Sequence, residues 1–363
     1  MEDIVVYDLS VLGFGPFFEE QLRQSTTAGA IPARVAAEHR GAYEVWSADG
    51  AGPARLAGRL RHELEGVGLP GVGDWVVIKE PPSPDRVAVI EHLLGRRTAF
   101  TRGAAGRQAR VQVIAANVDI VFVVCGLDAD YNVRRIERYL TRIWASGARP
   151  AVILSKADLC ADPAAQVAEV ERHCPAVSVS VTSALRAAGL TAVRASIREG
   201  VTAAFAGSSG AGKSTLVNAL LGEERMPTGE VRARDGRGCH VTTHRQLVLL
   251  PGGGLLLDTP GMRELQLVDE DGLGAAFEDI AALAGRCRFR DCRHDTEPGC
   301  AVRAAVEAGD LDAERLEHHR KLEREAQGYE RRHDVRLRRQ AERAWGQLRD
   351  EVARLRHWKG GKD

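Results

Sequence analysis

The residues Gly207-Ser208-Ser209-Gly210-Ala211-Gly212-Lys213-Ser214-Thr215 follow the pattern G-x-x-x-x-G-K-S, whose chemistry is phosphate binding. Backbone N–H groups of a glycine-rich turn reach phosphate oxygens only where no side chain blocks the approach. A helix starting at the end of the turn adds the positive end of its dipole. Lys213 is then expected to bridge the β- and γ-phosphates of a nucleoside triphosphate, and Ser214 to ligate Mg²⁺. The flanks suit this reading: Val201–Ala206 reads as a strand and Thr215–Leu221 as a helix.

Further groups complete such a site. Asp258-Thr259-Pro260-Gly261 follows the apolar run Leu255–Leu257, about forty-five residues on. There Asp258 suits an outer hold on Mg²⁺, and Gly261 a backbone N–H for the γ-phosphate. Between them lies His240-Val241-Thr242-Thr243-His244-Arg245. Thr243 is the first choice, and Thr242 the alternative, for a hydroxyl that folds over Mg²⁺ and the γ-phosphate. Met262 follows Gly261, where a water-orienting Gln often stands. Methionine cannot polarise water, so intrinsic hydrolysis should be slow, with the missing group supplied by His240, His244, a cation or a partner.

Ser155-Lys156-Ala157-Asp158 follows the strand-like Ala151–Leu154. Asp158 can accept two hydrogen bonds, from N1 and the exocyclic amine of guanine, which adenine does not offer. GTP is thereby selected over ATP, with the Lys156 stem along the base. Thr182-Ser183-Ala184, after Val177–Val181, could place a backbone N–H on guanine O6. Ser155 stands where Asn is common, so the longer amide bridging base and phosphate loop is lost and somewhat weaker nucleotide binding is expected.

Cys287, Cys292, His294 and Cys300 are spaced C-x₄-C-x-H-x₅-C. Three thiolates and one imidazole make a closed tetrahedral set for one structural Zn²⁺, with no position left for water. The arginines between them offer little apolar core, so the metal would supply folding energy. Cys125, Cys160 and Cys174 read as core thiols, and His318 and His319 as surface groups.

The elements that must position these groups fall into four stretches. Residues 1–30 carry no clear period and read as an N-terminal extension. Residues 31–105 hold five short β-like runs broken by Gly and Pro: Ala33–Val35, Tyr43–Trp46, Ala54–Leu60, Asp74–Ile78 and Val87–Ile90. These suit a small barrel, with the OB-fold foremost. Residues 111–270 alternate apolar strands such as Asp119–Val124 with helices such as Val133–Trp144 and Ala164–His173, the rhythm of a parallel sheet covered by helices on both faces. Gly252–Gly254 reads as a turn joining two antiparallel strands. Residues 271–363 are helical and carry the Cys/His cluster. The fold class is thus multidomain α/β, with an OB-fold barrel, a P-loop GTPase domain and a helical zinc-binding domain.

Composition is globular, with 44% apolar and 28% charged residues, and formal net charge is zero. Charge is uneven: residues 331–362 hold eleven Lys/Arg against four Asp/Glu. Arg96, Arg97, Arg102, Arg107 and Arg110 fall in one stretch without an acidic residue. Each reads either as a solvated segment or as an RNA contact. No apolar run approaches the roughly eighteen residues of a membrane span, and the acidic start does not resemble a secretory leader. The expectation is a soluble, cytoplasmic protein with no demand for a dimer.

The order of motifs is inverted. The base motif comes about fifty residues before the phosphate loop that normally opens such a domain. The same sheet can be built this way if the usual termini are joined and the chain is broken elsewhere, a circular permutation. The segment that senses the γ-phosphate then runs through Arg263–Val268 straight into the C-terminal domain.

This order, between a barrel and a Cys/His cluster, resembles the RsgA (YjeQ) family of small-ribosomal-subunit-dependent GTPases. The resemblance runs from about Ile31 to the C-terminus. Its most specific stretches are G-D-W-V at Gly73–Val76, A-A-N-V-D at Ala115–Asp119, the nonapeptide at Gly207, H-V-T-T-H-R at His240 and the Cys/His spacing. The family's usual H-T-T-T reads H-V-T-T here. The resemblance implies an OB-fold, a circularly permuted GTPase domain and a zinc domain. It also implies binding to the 30S subunit and its 16S rRNA, and hydrolysis of GTP to GDP and phosphate during late subunit maturation. Two other readings stand beside it: a GTP-binding RNA scaffold without functional turnover, and a GTPase of the large subunit.

Overall fold

The computed structural model describes residues 7–24, 29–39, 41–64, 68–103, 111–175, 177–223, 245–258 and 270–326. Five strands close a barrel: β1 (Ile31–His39), β2 (Ala42–Ser47), β3 (Gly50–Leu56), β4 (Trp75–Ile78) and β5 (Ala88–Leu93). The circuit runs β1-β2-β3-β5-β4 and back to β1, and only β3 and β5 pair in parallel. This is the closed Greek-key order of an OB-fold. Alternate residues of each strand fill the interior, among them Val35, Val45, Ala54, Val76 and Ile90. The third run ends earlier than its sequence implied: Leu60 lies in a short helix (Gly58–Glu63) and is buried there.

Helices α1 (Pro16–Gln24) and α2 (Gly58–Glu63) and a two-stranded sheet of β6 (Ala99–Gly103) and β7 (Val111–Ala116) precede a larger sheet of β8 (Ile120–Gly126), β9 (Arg149–Ser155), β10 (Ser178–Val181), β11 (Thr202–Ala206), β12 (Gln246–Leu249) and β13 (Leu255–Asp258), in the order β10-β9-β8-β11-β13-β12. All neighbours are parallel except β12, which returns antiparallel to β13 through a turn with positive φ at Gly252, Gly253 and Gly254. The period of two splits each apolar run between the two faces. Val121, Val123 and Cys125 face α3 (Val133–Ala145) and α4 (Pro163–His173). Ile120, Phe122 and Val124 face α5 (Leu190–Ser196) and α6 (Lys213–Leu221). Continuous hydrophobicity is what a strand buried on both sides requires. β12 also meets β1 at Ala37↔Gln246, so the sheet runs on into the barrel.

Residues 7–24, read from sequence as an extension without period, belong to the core. Leu12 and Phe18 are buried, and Phe14 packs edge-on against Trp75 with centroids 4.7 Å apart. At the other end, α7 (Glu270–Ala276), α8 (Glu278–Ala284), α9 (Ala301–Ala308) and a helix over 313–326 enclose Phe277, Ile280, Val302 and Leu322. Trp144 of α3 packs against this cluster as well as the main one.

Candidate nucleotide site and metal centre

The chain lays β8, β9 and β10 outward in one direction, then places β11 on the other side of β8. The crevice at the carboxyl ends of β8 and β11 is therefore a topological switch point, where open α/β sheets bind ligands. Each chemistry-bearing motif lies at such a carboxyl end. Gly207–Gly212 follows β11, Ser155–Asp158 closes and follows β9, Thr182–Ala184 follows β10, and Asp258 ends β13. His240, Thr242, Thr243, His244, Gly261 and Met262 lie outside the described residues.

The phosphate loop has the backbone its glycines imply. Gly207 has φ +138, and a Cβ there would lie 2.2 Å from the Val124 carbonyl oxygen. Gly210 and Gly212 also take positive φ, and Ala211 between them is buried. α6 begins at Lys213 with Gly212 as its cap, so no capping side chain competes with an anion for the N–H groups of the first turn. Lys213 folds back over the loop, its Nζ donating to the carbonyls of Gly207, at 2.8 Å, and Ser208. Ser209, Ser214 and Thr215 sit on the same loop and first helical turn.

The base motif is braced against this loop. Ser155 Oγ donates to the Ala211 carbonyl at 2.6 Å, so the serine hydroxyl ties the base motif to the phosphate loop. Lys156 is left-handed at φ 58, and the backbone N–H of Ala157 donates to Thr182 O at 3.1 Å. Ser183 Oγ donates to Asp158 at 2.5 Å, and this hydrogen bond holds the Asp158 carboxyl below its ordinary range. Ser183 and Ala188 exchange backbone hydrogen bonds, which closes the Thr182–Ala184 loop beside the base motif.

Sequence reasoning missed the loop between β8 and α3. Asp128 pairs with Lys156 Nζ at 2.6 Å. Asp130 accepts from Ser208 of the phosphate loop and pairs with Arg135 at 2.7 Å. No local spacing marks these carboxylates; their roles come from the neighbours β8 acquires in the sheet.

Cys287, Cys292, His294 and Cys300 converge, with all four ligand atoms within 4.8 Å of one another. Tetrahedral Zn²⁺, with bonds of about 2.3 Å to sulfur and 2.0–2.1 Å to nitrogen, sets S–S edges near 3.8 Å and S–N edges near 3.6 Å. Cys287 and Cys300 Sγ are 3.9 Å apart, and His294 Nδ1 lies 3.6 and 3.5 Å from them. The donor set fits a closed four-coordinate metal ion.

A model of the RsgA GTPase family matches residues 93–268. The chain is 47% identical over 350 residues to the small ribosomal subunit biogenesis GTPase RsgA of Opitutus terrae, across 94% of this chain and 95% of that protein. The chain belongs to the RsgA GTPase family. It is also 49% identical over 306 residues to the protein of that name from Xylella fastidiosa, across 82% of this chain and 86% of the relative. The crystal structure of YjeQ from Thermotoga maritima superposes with a TM-score of 0.64 at 26% identity, over 82% of this chain and 99% of that one. The circularly permuted GTPase YloQ shares the fold, with a TM-score of 0.62 at 24% identity.

In this RsgA-family chain the G-D-W-V and A-A-N-V-D stretches lock barrel to sheet. A Cβ on Gly73, at φ +93, would lie 2.1 Å from the Ala116 carbonyl oxygen. Asn117 Nδ2 donates to Gly73 O at 3.1 Å, and Asn117 Oδ1 accepts from Arg97 N at 2.9 Å. Two of the arginines open to an RNA reading are committed here. Arg96 grips the buried Asp74 through two bonds of 2.8 Å, and Arg97 pairs with Asp119 at 2.9 Å. Arg107 and Arg110 lie outside the described residues, as does the basic stretch 331–362.

The C-terminal helices grip α3 through one buried carboxylate. Glu137 accepts from Arg315 at 2.5 Å and His318 at 2.6 Å, with His173 at 3.3 Å. Burial alone would push its pKa up; the bonds from His173 and His318 and the charge of Arg315 outweigh that and hold it near 2. His318 is therefore interior, 10% exposed, and not the surface group its sequence context implied. His319 packs edge-on against Phe277, and burial lowers its pKa to about 4. Neither residue could be placed from sequence, because both face elements distant in the chain.

Proposed function

We propose that the chain hydrolyses GTP to GDP and phosphate on the small ribosomal subunit, as an assembly factor in its late maturation. The observation that carries this is the convergence of phosphate loop, base motif and Thr-Ser-Ala loop at the carboxyl ends of neighbouring parallel strands, beside the switch point. Gly207–Thr215 would cradle the phosphates and Asp158 would read guanine, with Lys156 along the base and Ala184 near O6. Mg²⁺, held by Ser214 and Thr243 and from further out by Asp258, would neutralise charge building on the phosphates. Lys213 would leave the Gly207 and Ser208 carbonyls for β- and γ-phosphate oxygens. The relatives are named for small-subunit biogenesis, which supports the 30S particle and its 16S rRNA over the large subunit. Zn²⁺ would hold the cysteine loop, since cytosolic thiolates with one imidazole suit it best.

Methionine after Gly261 has no group to orient water, so turnover on the free protein is slow and the particle, with His240 or His244, completes the site. The protein acts as a monomer in the cytoplasm. Among the described residues no helix is long and apolar enough to cross a membrane. The test is steady-state GTP hydrolysis alone and with purified 30S, 50S or 70S particles, with ATP as the nucleotide control. Strong stimulation by 30S with ATP inert is expected. Unchanged turnover with 30S, or stimulation by 50S instead, overturns the assignment.

A further inference from the structure

The base motif is fixed from three sides, and one of them is outside any motif. Ser155 is bonded to the phosphate loop and Asp158 to Ser183. Lys156, between them, has a left-handed backbone that a non-glycine residue takes only where its surroundings impose it. Its ammonium is 2.6 Å from Asp128 Oδ2.

Asp128 is itself held for this task. Its other oxygen, Oδ1, accepts from the backbone N–H of Asp130 at 3.0 Å. The Leu127 N–H donates to Ser155 O at 2.8 Å, which ties the loop to the strand end that carries Lys156. Gly126 leaves room for the carboxylate: a Cβ there would lie 2.7 Å from Asp128 Oδ1. Each carboxylate oxygen thus has its own partner, one setting the turn and one setting the lysine. The pair is about a quarter to a third exposed, so water screens it only in part. The Asp128 carboxyl is held below its ordinary range, chiefly by the bond from Lys156.

We propose that Asp128 is a positioning residue for the guanine base: by fixing the Lys156 ammonium it presets the lysine stem as the ledge on which the base lies. The inference rests on the guanine-nucleotide reading of the site. A lysine with a free ammonium samples many rotamers and must be ordered when the base arrives. With Asp128 in place that ordering is already done, and binding does not bear it. The ledge touches a face common to purine bases and leaves discrimination to Asp158. Losing Asp128 should therefore weaken purine nucleotides together, roughly three- to tenfold, without altering which purine is preferred.

The experiment compares the full chain with D128N, D128E, K156M and the double variant D128N/K156M. The probes are fluorescent GDP and IDP analogues, titrated to obtain both affinities. D128N is expected to bind both probes about three- to tenfold more weakly at an unchanged GDP-to-IDP ratio. D128E, which keeps the charge, should regain part of the loss. In the K156M background, D128N should have almost no further effect, since the pair acts as a unit. A merely structural carboxylate would give losses that add in the double variant and no rescue by glutamate. Should D128N fail to fold, D128E alone and in the K156M background carries the same comparison. Full affinity in D128N, additive losses, or a changed GDP-to-IDP ratio overturns the inference alone. A wild-type chain that binds neither probe overturns the nucleotide reading, and the inference with it.

Discussion

Replacing Glu137 by glutamine tests whether the C-terminal helices are held to α3 by charge. The carboxylate is fully buried against Arg315, which is 4% exposed. Removing one partner of a buried pair leaves the other uncompensated, at a cost of about 3–5 kcal/mol. Arg315 keeps both oxygens of Asp279, at 2.7 and 2.8 Å, so the lower end applies. The Glu137 pKa gives a second route to the magnitude. A drop from 4.5 to about 2 corresponds to roughly 3 kcal/mol of stability at neutral pH. A folded-state pKa below the unfolded one means that this stability is complete well above pH 4.5 and is lost as pH falls toward 2. Glutamine does not titrate, so the difference between the proteins should shrink with acid, by roughly 1 kcal/mol at pH 4. Urea unfolding followed by tryptophan fluorescence suits the question, because Trp144 packs against both clusters at this junction. Equal urea midpoints at pH 7, or a difference that does not narrow at pH 4, would refute the reasoning.

Three other substitutions probe the nucleotide and metal sites. Gly207→Ala forces a side chain into positive φ and against Val124 O; it should cost roughly 2–5 kcal/mol in stability and abolish GTP binding, read by thermal melting and nucleotide titration. Ser155→Ala removes the bond to Ala211 O and should weaken GDP binding about fivefold with guanine preference kept, measured by competition against GTP and XTP. Cys292→Ser should lower zinc affinity by more than about a hundredfold and expose the 285–301 loop to protease, read by metal release to a chromogenic chelator and by limited proteolysis.

The features legible in the sequence are those that local chemistry dictates. Phosphate binding demands glycines, a lysine and a hydroxyl within nine residues, and a closed metal site demands its four donors close together, so both stand out in the chain. The strands of the parallel sheet were legible because burial on both faces leaves continuous apolar runs. The third barrel run was overextended because Leu60, apolar and buried, packs as well from a helix as from a strand. Arg96, His318 and Asp128 were misread or missed for one reason. Each finds its partner 22, 181 or 28 positions away, and no short pattern can encode a partner that only the fold brings near. Residues 7–24 showed no clear period because their one helix, Pro16–Gln24, is nine residues long and its core face rests on Phe18 and Leu22, too few turns for a repeat to stand out.

α3 begins at Asn132's cap, directly after the loop that carries Asp128 and Asp130. Five residues into the helix stands Glu137, on which the C-terminal helices close. One rigid rod of thirteen residues therefore touches the nucleotide crevice with its first turn and the metal-bearing helices with its second. Linkage between two such ends is reciprocal. Whatever factor a bound nucleotide imposes on the grip of the C-terminal helices, a surface that seizes those helices must impose on nucleotide affinity. A docking partner could in that way set how long a nucleotide stays without ever reaching the crevice.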